Sequence, residues 1–364
     1  MNDKQPILTV AVIALLLYAF LKWHGPFTNE PSVVEVKAKR ESTHYPPAQP
    51  QVLVSPTNTE ASTVPEYEHN HVQSEFLSPY HRVGYELNGD ACKAPNLGFI
   101  KDEDSLEVTD FFELNITGDA VSTSFILDLE QRLMLVFHFY ADLIGKRNLR
   151  RINFNMLIYK ERDEYEGFVE SFAPDLAGRS AGVYSHKTVM ATVHFDNEEQ
   201  ALRTSIHEFV HALNHALIGA TPSWLNEGVA EYFEKIGGSF DSPVVAHQPS
   251  WVDNDLSLRY SSFDFWQLAN MESMWRDGTR QDRLSLYANS WHWIYFFMSS
   301  KEGMNALGYL MRTERQEPCS VMEPSEALEL LNRAAPNFEV EFLDWEKEPL
   351  VESQAFSLQQ STDH

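Results

Sequence analysis

The chain has 364 residues, of which 43% are hydrophobic, and carries a formal net charge of −25. That length and apolar fraction are enough for one large domain or two ordinary ones, each with a real core. A chain this acidic repels nucleic-acid phosphates and anionic lipid headgroups, so neither is expected as a partner.

Ile7 to Leu21 reads ILTVAVIALLLYAFL, with Pro6 before it and Lys22-Trp23 after it. With its flanks the run approaches the roughly twenty residues of a spanning helix, and Lys22 and Trp23 suit a membrane interface. No small-residue cleavage pattern follows directly. Residues 1–23 are therefore expected to form a retained signal anchor, with the rest of the chain tethered to a membrane on its extracytoplasmic side, the periplasm if the source is bacterial. Residues 24–75 are rich in Pro, Ser, Thr, Gln and Glu, cannot bury enough surface to fold, and read as a disordered linker. The folded domain is expected over 76–350, and 351–364 as a flexible tail. Cys92 and Cys319 are the only cysteines. Pairing in an oxidising compartment and two free buried thiols both remain open for them.

Tyr85 to Thr117 suggests loops and one or two strands. Ser124 to Gly145 predicts a helix, because Phe125, Leu129, Leu133, Val136, Tyr140 and Leu143 recur at three- and four-residue spacing. His138 within it reads as structural. Arg151 to Tyr159 predicts a strand, Asp163 to Phe172 a short helix, and Ala181 to Phe195 two further strands. Asp196 and Glu199 form a capping-box pattern opening a helix whose Leu202, Ile206, Val210, Leu213 and Leu217 point to the core and which Gly219 ends. A second helix starts at Pro222-Ser223 and runs to Ile236. Gly237 to Ser250 reads as a polar loop. Helices then follow over Phe263–Trp275, Arg283–Ser300, Asn305–Arg312 and Pro324–Arg333.

Within the first of the two central helices, His207-Glu-Phe-Val-His211 reads H-E-x-x-H. Residues four apart lie on one helical face, so both imidazoles can grip one metal ion, and Glu208 sits beside the first as a base. His215 continues the series, but it lies about 12 Å along the axis from His207, too far to share the ion. A catalytic zinc needs three protein ligands and an open position. Glu227, in Trp224-Leu-Asn-Glu-Gly-Val-Ala-Glu-Tyr232, is the natural third. Glu231, one turn further, is placed to hydrogen-bond the free nitrogen of a ligand histidine.

H-E-x-x-H followed by W-L-N-E-G-x-A-E-Y resembles the gluzincin metallopeptidases, the thermolysin-like and aminopeptidase-like group. The resemblance spans about Arg151 to Met298 and is sharp from His207 to Tyr232. It departs from the best-known members in the shorter gap between His211 and Glu227. It implies one Zn2+ held by His207, His211 and Glu227, with Glu208 as general base and Glu231 as partner of the first histidine. It also implies a tyrosine or histidine oxyanion donor from a later helix, for which Tyr287 is the first candidate and His292 the second. The implied fold is α+β and zincin-like: a small mixed sheet with an edge strand, then a helical C-terminal lobe. Val189 to Phe195 is the expected edge strand, with Ala191 and Val193 taking up an extended peptide or protein substrate by strand addition. The implied function is zinc-dependent peptide-bond hydrolysis; the alternative is a catalytically silent peptide-binding protein on the same fold.

Overall fold

The three- and four-residue spacing at 124–145 folds as helix α1 (Thr123–Ile144), whose buried face carries Phe125, Leu129, Leu133, Val136, Tyr140 and Leu143. Ser122 caps it by accepting a hydrogen bond from the Phe125 N–H at 3.0 Å. This computed structural model describes residues 82–84, 112–174, 176, 178, 180–247, 263–348 and 353–356, all within the unit Tyr80–His364. The apolar run 7–21 and the linker 24–75 lie outside these residues. Among the described residues no helix is long and apolar enough to cross a membrane.

The architecture is α+β with small sheets. Strand β1 (Arg82–Gly84) pairs far along the chain and is taken up below. Strands β2 (Phe112–Gly118) and β3 (Ile152–Tyr159) run parallel, and helix α2 (Arg162–Glu170) then leads to β4 (Gly182–Ser185) and β5 (Met190–His194). The resulting four-stranded sheet has the order β2-β3-β5-β4, with β5 parallel to β3 and β4 antiparallel to β5. Alternation sets the face of β3: Ile152, Phe154, Met156 and Ile158 are buried, as a period-two pattern demands.

Here the structure corrects the expected edge strand. β5 is interior, with Ala191 opposite Met156 on one side and Tyr184 on the other. Ala191 and Val193 are both 0% exposed and belong to the main core. They are core residues and not a docking surface. Thr192 between them is buried as well, so β5 is covered on both faces. The outer position falls to β4, which folds back over β5.

Helix α3 (Glu198–Leu217) carries the H-E-x-x-H stretch. Its cap lies one residue beyond the expected Asp196: Asn197 accepts from the Gln200 N–H, while Gln200 Oε1 accepts from the Asp196 N–H. Gly219 follows the helix with φ +107, the left-handed region that suits glycine. Helix α4 (Ser223–Phe233) packs across α3. The predicted loop after it is a hairpin, β6 (Ile236–Ser239) and β7 (Ser242–Ala246).

The predicted 263–275 helix breaks at Asn270 into α5 (Phe265–Ala269) and α6 (Glu272–Asp277). Asn270 Nδ2 donates to the Trp266 carbonyl, offering the backbone a local alternative to helix. Helix α7 (Arg280–Met298) is apolar around much of its circumference, burying Trp291, Trp293, Tyr295 and Phe297, the mark of a helix enclosed by its neighbours. Helix α8 (Lys301–Glu314), strand β8 (Ser320–Met322), α9 (Pro324–Ala334) and α10 (Phe338–Trp345) complete the lobe. β8 pairs antiparallel with β1.

A strand lies within the expected tail. Strand β9 (Ser353–Ala355) adds to β7, giving the sheet β6-β7-β9. Phe356 also packs edge-on against Phe139. Cys319 is disulfide-bonded, and Cys92, outside the described residues, is the only other cysteine in the sequence.

Candidate metal centre

One helical turn separates His207 from His211, and their rings lie 4.7 Å apart at 83°. Glu227 reaches them from α4. Its Oε2 is 3.3 Å from His207 Nε2 and 3.5 Å from His211 Nε2. One ligand atom from each of the three residues lies within 4.8 Å of the others. Glu227 Oε2 is buried and accepts no hydrogen bond. An acceptor left so is costly unless something else satisfies it, and the donor set of two imidazoles and one carboxylate suits a divalent metal ion. The residues therefore fit a metal site.

The position of Glu227 follows from a close helix crossing. A Cβ at Gly228 would meet the Ser290 carbonyl at 2.7 Å, so glycine lets α4 settle onto α7. Tyr287, one turn before Ser290, then faces the cluster. Burial pushes the Glu227 carboxyl up, but His211, His207 and the Tyr287 hydroxyl outweigh it and hold the carboxylate below its ordinary range. The Glu227 charge, followed by burial, holds the Tyr287 phenol well above its usual value. Tyr287 is thus a neutral O–H donor.

Glu208 lies on the β4 side of α3. It is 4% exposed, and its carboxylate accepts from the Tyr184 N–H while Oε2 accepts no hydrogen bond. Burial raises its pKa to about 8, with His207 opposing. Gly182 in β4 has no side chain where the Glu208 carboxylate sits: a Cβ there would fall 2.6 Å from Oε1.

No protein-family model matches this chain. Nor does any curated protein match it in sequence.

Of the residues expected from sequence, His207, Glu208, His211, Glu227 and Tyr287 come together. Three expectations are corrected. The partner of His207 is Glu234 and not Glu231: His207 Nδ1 lies 2.9 Å from Glu234 Oε1. Burial lowers the His207 pKa, but Glu227 and Glu234 override it and hold it well above its ordinary value. Glu231 belongs to the neighbouring group, with ligand atoms of His207, Glu231 and Glu234 within 4.8 Å of one another. His292 is packed among Trp291, Phe342 and Trp345, with Glu346 at 3.9 Å, and takes no part in the cluster. Ala191 and Val193 are enclosed, as described above.

Glu234 was legible in principle. Glu227, Glu231 and Glu234 stand at i, i+4 and i+7, a single helical face, and Glu234 is the residue that caps α4. Asn226, beside Glu227, ends a buried relay in which the Tyr140 hydroxyl donates to Asn214 Oδ1 at 2.6 Å and Asn214 Nδ2 donates to Asn226 Oδ1 at 2.9 Å. The relay fixes α3 against α4 beneath the two histidines. His215, read as no ligand, has its Nδ1 3.1 Å from the Tyr184 hydroxyl. Its ring is stacked on His186 at 4.6 Å.

Proposed function

We propose that this chain is a zinc metallopeptidase of gluzincin type, with the zinc held by His207, His211 and Glu227. The single observation that carries the reading is the convergence of two imidazole Nε2 atoms on an otherwise unpartnered Glu227 Oε2, with an unpartnered carboxylate oxygen on Glu208 beside them. The α+β arrangement supports a zincin-like fold, since the mixed sheet packs along the H-E-x-x-H helix and ends in an antiparallel outer strand.

Zinc, when bound, acts as a Lewis acid toward water and the scissile carbonyl. The chain supplies the rest. Glu208, raised by burial in the metal-free site, would be held ionised by a bound dication, and so would accept the proton of the attacking water and return it to the leaving amine. Tyr287 donates its hydroxyl hydrogen to the developing oxyanion. Glu234 accepts from His207 Nδ1–H and so fixes the tautomer that turns Nε2 toward the ion. The outer strand β4, next to Glu208, gives an extended peptide an edge to add to, with the Tyr184 N–H already taken by Glu208. A disulfide at Cys319 suits an oxidising compartment and so a tethered, extracytoplasmic domain behind the 7–21 segment.

The test is metal analysis together with digestion of a mixed peptide library. Wild type is expected to hold one zinc per chain and cleave. His211→Ala should lose both properties. Glu208→Gln should keep zinc and lose turnover by several orders of magnitude. Full zinc in His211→Ala, or undiminished cleavage in Glu208→Gln, would overturn the assignment.

A further inference from the structure

The proposed chemistry leaves two neighbours of Tyr287 without a task. Arg283 stands four residues before it, one turn away on the same face of α7. Trp275 on α6 meets the Tyr287 ring edge-on, 5.0 Å away at 88°. Both carry donors that lack an acceptor. Trp275 Nε1 is buried and has no hydrogen-bond partner, which is costly for a donor. The half-buried Arg283 side chain makes no hydrogen bond or ion pair with any described residue.

The acids nearest to them in the chain are committed elsewhere. Asp282 feels the Arg283 charge but forms no ion pair with it. Its Oδ2 accepts from the Thr279 N–H at 2.8 Å and from the Thr279 hydroxyl at 2.7 Å, closing the cap of α7. Glu272 accepts from the Ser223 hydroxyl at 2.6 Å and from the Ser223 N–H at 3.2 Å. Helix stability does not account for the arginine either, since the macrodipole disfavours a cation near the amino end of α7. Arg283 does act on the centre: the Glu227 charge and burial hold the Tyr287 phenol up, and the Arg283 charge pulls it down. The centre gathers Glu208, Glu227, Glu231 and Glu234, in a chain with 28 basic against 53 acidic residues. Those carboxylates repel an anionic ligand, and a guanidinium beside them offsets the repulsion. Its planar fork also matches a carboxylate in bidentate geometry.

We infer that Arg283, with the Trp275 N–H as a neutral second donor, receives a carboxylate of the peptide substrate, so that the centre selects anionic peptides. The inference deepens the peptidase reading and rests on it for the cleavage step. The carboxylate belongs either to the C-terminus of the peptide or to an Asp or Glu side chain within it.

The experiment reads binding before turnover. Full-length, zinc-loaded Glu208→Gln protein is equilibrated with three matched peptide libraries, and the retained peptides are quantified by mass spectrometry. The first has free C-termini and no Asp or Glu, the second is its C-terminal amide, and the third is the amide with Asp and Glu in place of Asn and Gln. Retention of the first or the third should exceed that of the second by about 10- to 100-fold, the usual range for a charge-assisted hydrogen bond. Enrichment of the first identifies a C-terminal carboxylate, and of the third an acidic side chain. Adding Arg283→Gln should bring the ratio close to one, and Arg283→Lys, which keeps the charge and loses the fork, should restore part of it. A melting curve on each variant separates loss of the site from loss of the fold. If Arg283→Gln does not fold, Trp275→Phe decides, since it keeps the ring against Tyr287, removes the N–H and should lower the ratio severalfold. The same ratio is then read as kcat/KM with Glu208 intact, where a merely structural role for Arg283 would slow all three libraries alike. A preference in binding without cleavage would sink the peptidase reading and leave this inference standing. Equal retention of all three libraries, retention of none, or a preference that survives Arg283→Gln and so belongs to the zinc would overturn it.

Discussion

Under the proposed peptidase reading, replacing Gly182 with alanine should slow peptide cleavage far more than it loosens the fold. A Cβ at this position falls 2.6 Å from Glu208 Oε1 and 2.4 Å from Thr204 Cγ2, where ordinary contact begins at 3.4 Å. The carboxylate must therefore retreat by about 0.8 Å (3.4 − 2.6) or push β4 away. Overpacking of this kind costs about 1–3 kcal/mol, a modest drop in melting temperature for a domain of this size. The catalytic cost is larger, since displacing a reacting group by about 1 Å can cost about 100-fold in rate. The assay is kcat and KM on a fluorogenic peptide found in the library digest, with zinc content and thermal melting measured on the same samples. Zinc should stay at one per chain and kcat should fall by about 10- to 100-fold. Thr204→Ser removes Cγ2 and leaves the Glu208 contact, so Gly182→Ala/Thr204→Ser should regain stability without regaining turnover. Wild-type kcat in Gly182→Ala would refute the idea that the seat of Glu208 against β4 sets its reach. Recovery of turnover in the double variant would trace the defect to Thr204.

Three further outcomes are expected. Ala191→Pro should unfold the domain, because β5 is paired on both sides and proline removes a ladder donor; a native circular dichroism spectrum from that variant would contradict an interior β5. Glu234→Ala should weaken zinc about 10–100-fold, and Glu231→Ala less, as read by competition with a chromogenic chelator; the reverse ranking would return the His207 partnership to Glu231. Burial holds His292 at about 4, with Glu346 opposing. Its folded pKa thus lies below the unfolded value near 6.5, so stability is full above that value and declines as pH falls toward 4, by up to about 3 kcal/mol. His292→Phe, placed among Trp291, Phe342 and Trp345, should flatten that decline in urea titrations at about pH 7 and about pH 4.5; an equal decline in the variant would exclude His292 as its source.

Much of the candidate site could be read along the chain because its information is local. The spacing of His207 and His211 needs only the 3.6-residue turn to be converted into a shared face, and Glu227 stands in a motif one helix later, although it is the packing of α4 that brings it to them. Helix α1 was legible for the same reason. What could not be read depends on neighbours distant in sequence. Whether β5 is an edge or an interior strand is decided by β4 folding over it, and alternation within Val189–Phe195 does not carry that choice. The Ser353–Ala355 strand has no β-pattern of its own and is recruited by β7. Glu234 lies at the end of α4, beyond the W-L-N-E-G-x-A-E-Y motif, although the helical spacing from Glu227 continues to it.

The recruitment of Ser353–Ala355 also bears on the order in which the molecule is finished. Gln354 accepts from the Tyr232 hydroxyl at 2.6 Å and donates to the Tyr295 carbonyl at 3.0 Å. Tyr232 lies on the helix that presents Glu227, 122 residues earlier in the chain. Contacts between segments so far apart close late, after the local ones have formed. A nascent or truncated chain lacking residue 354 holds every proposed ligand, yet leaves the Tyr232 hydroxyl without its acceptor in a buried position. Metal competence is therefore expected to mature in two stages, with helices first and the terminal stitch last. Proteolytic trimming of a few C-terminal residues becomes a way of loosening the centre from behind without touching a ligand.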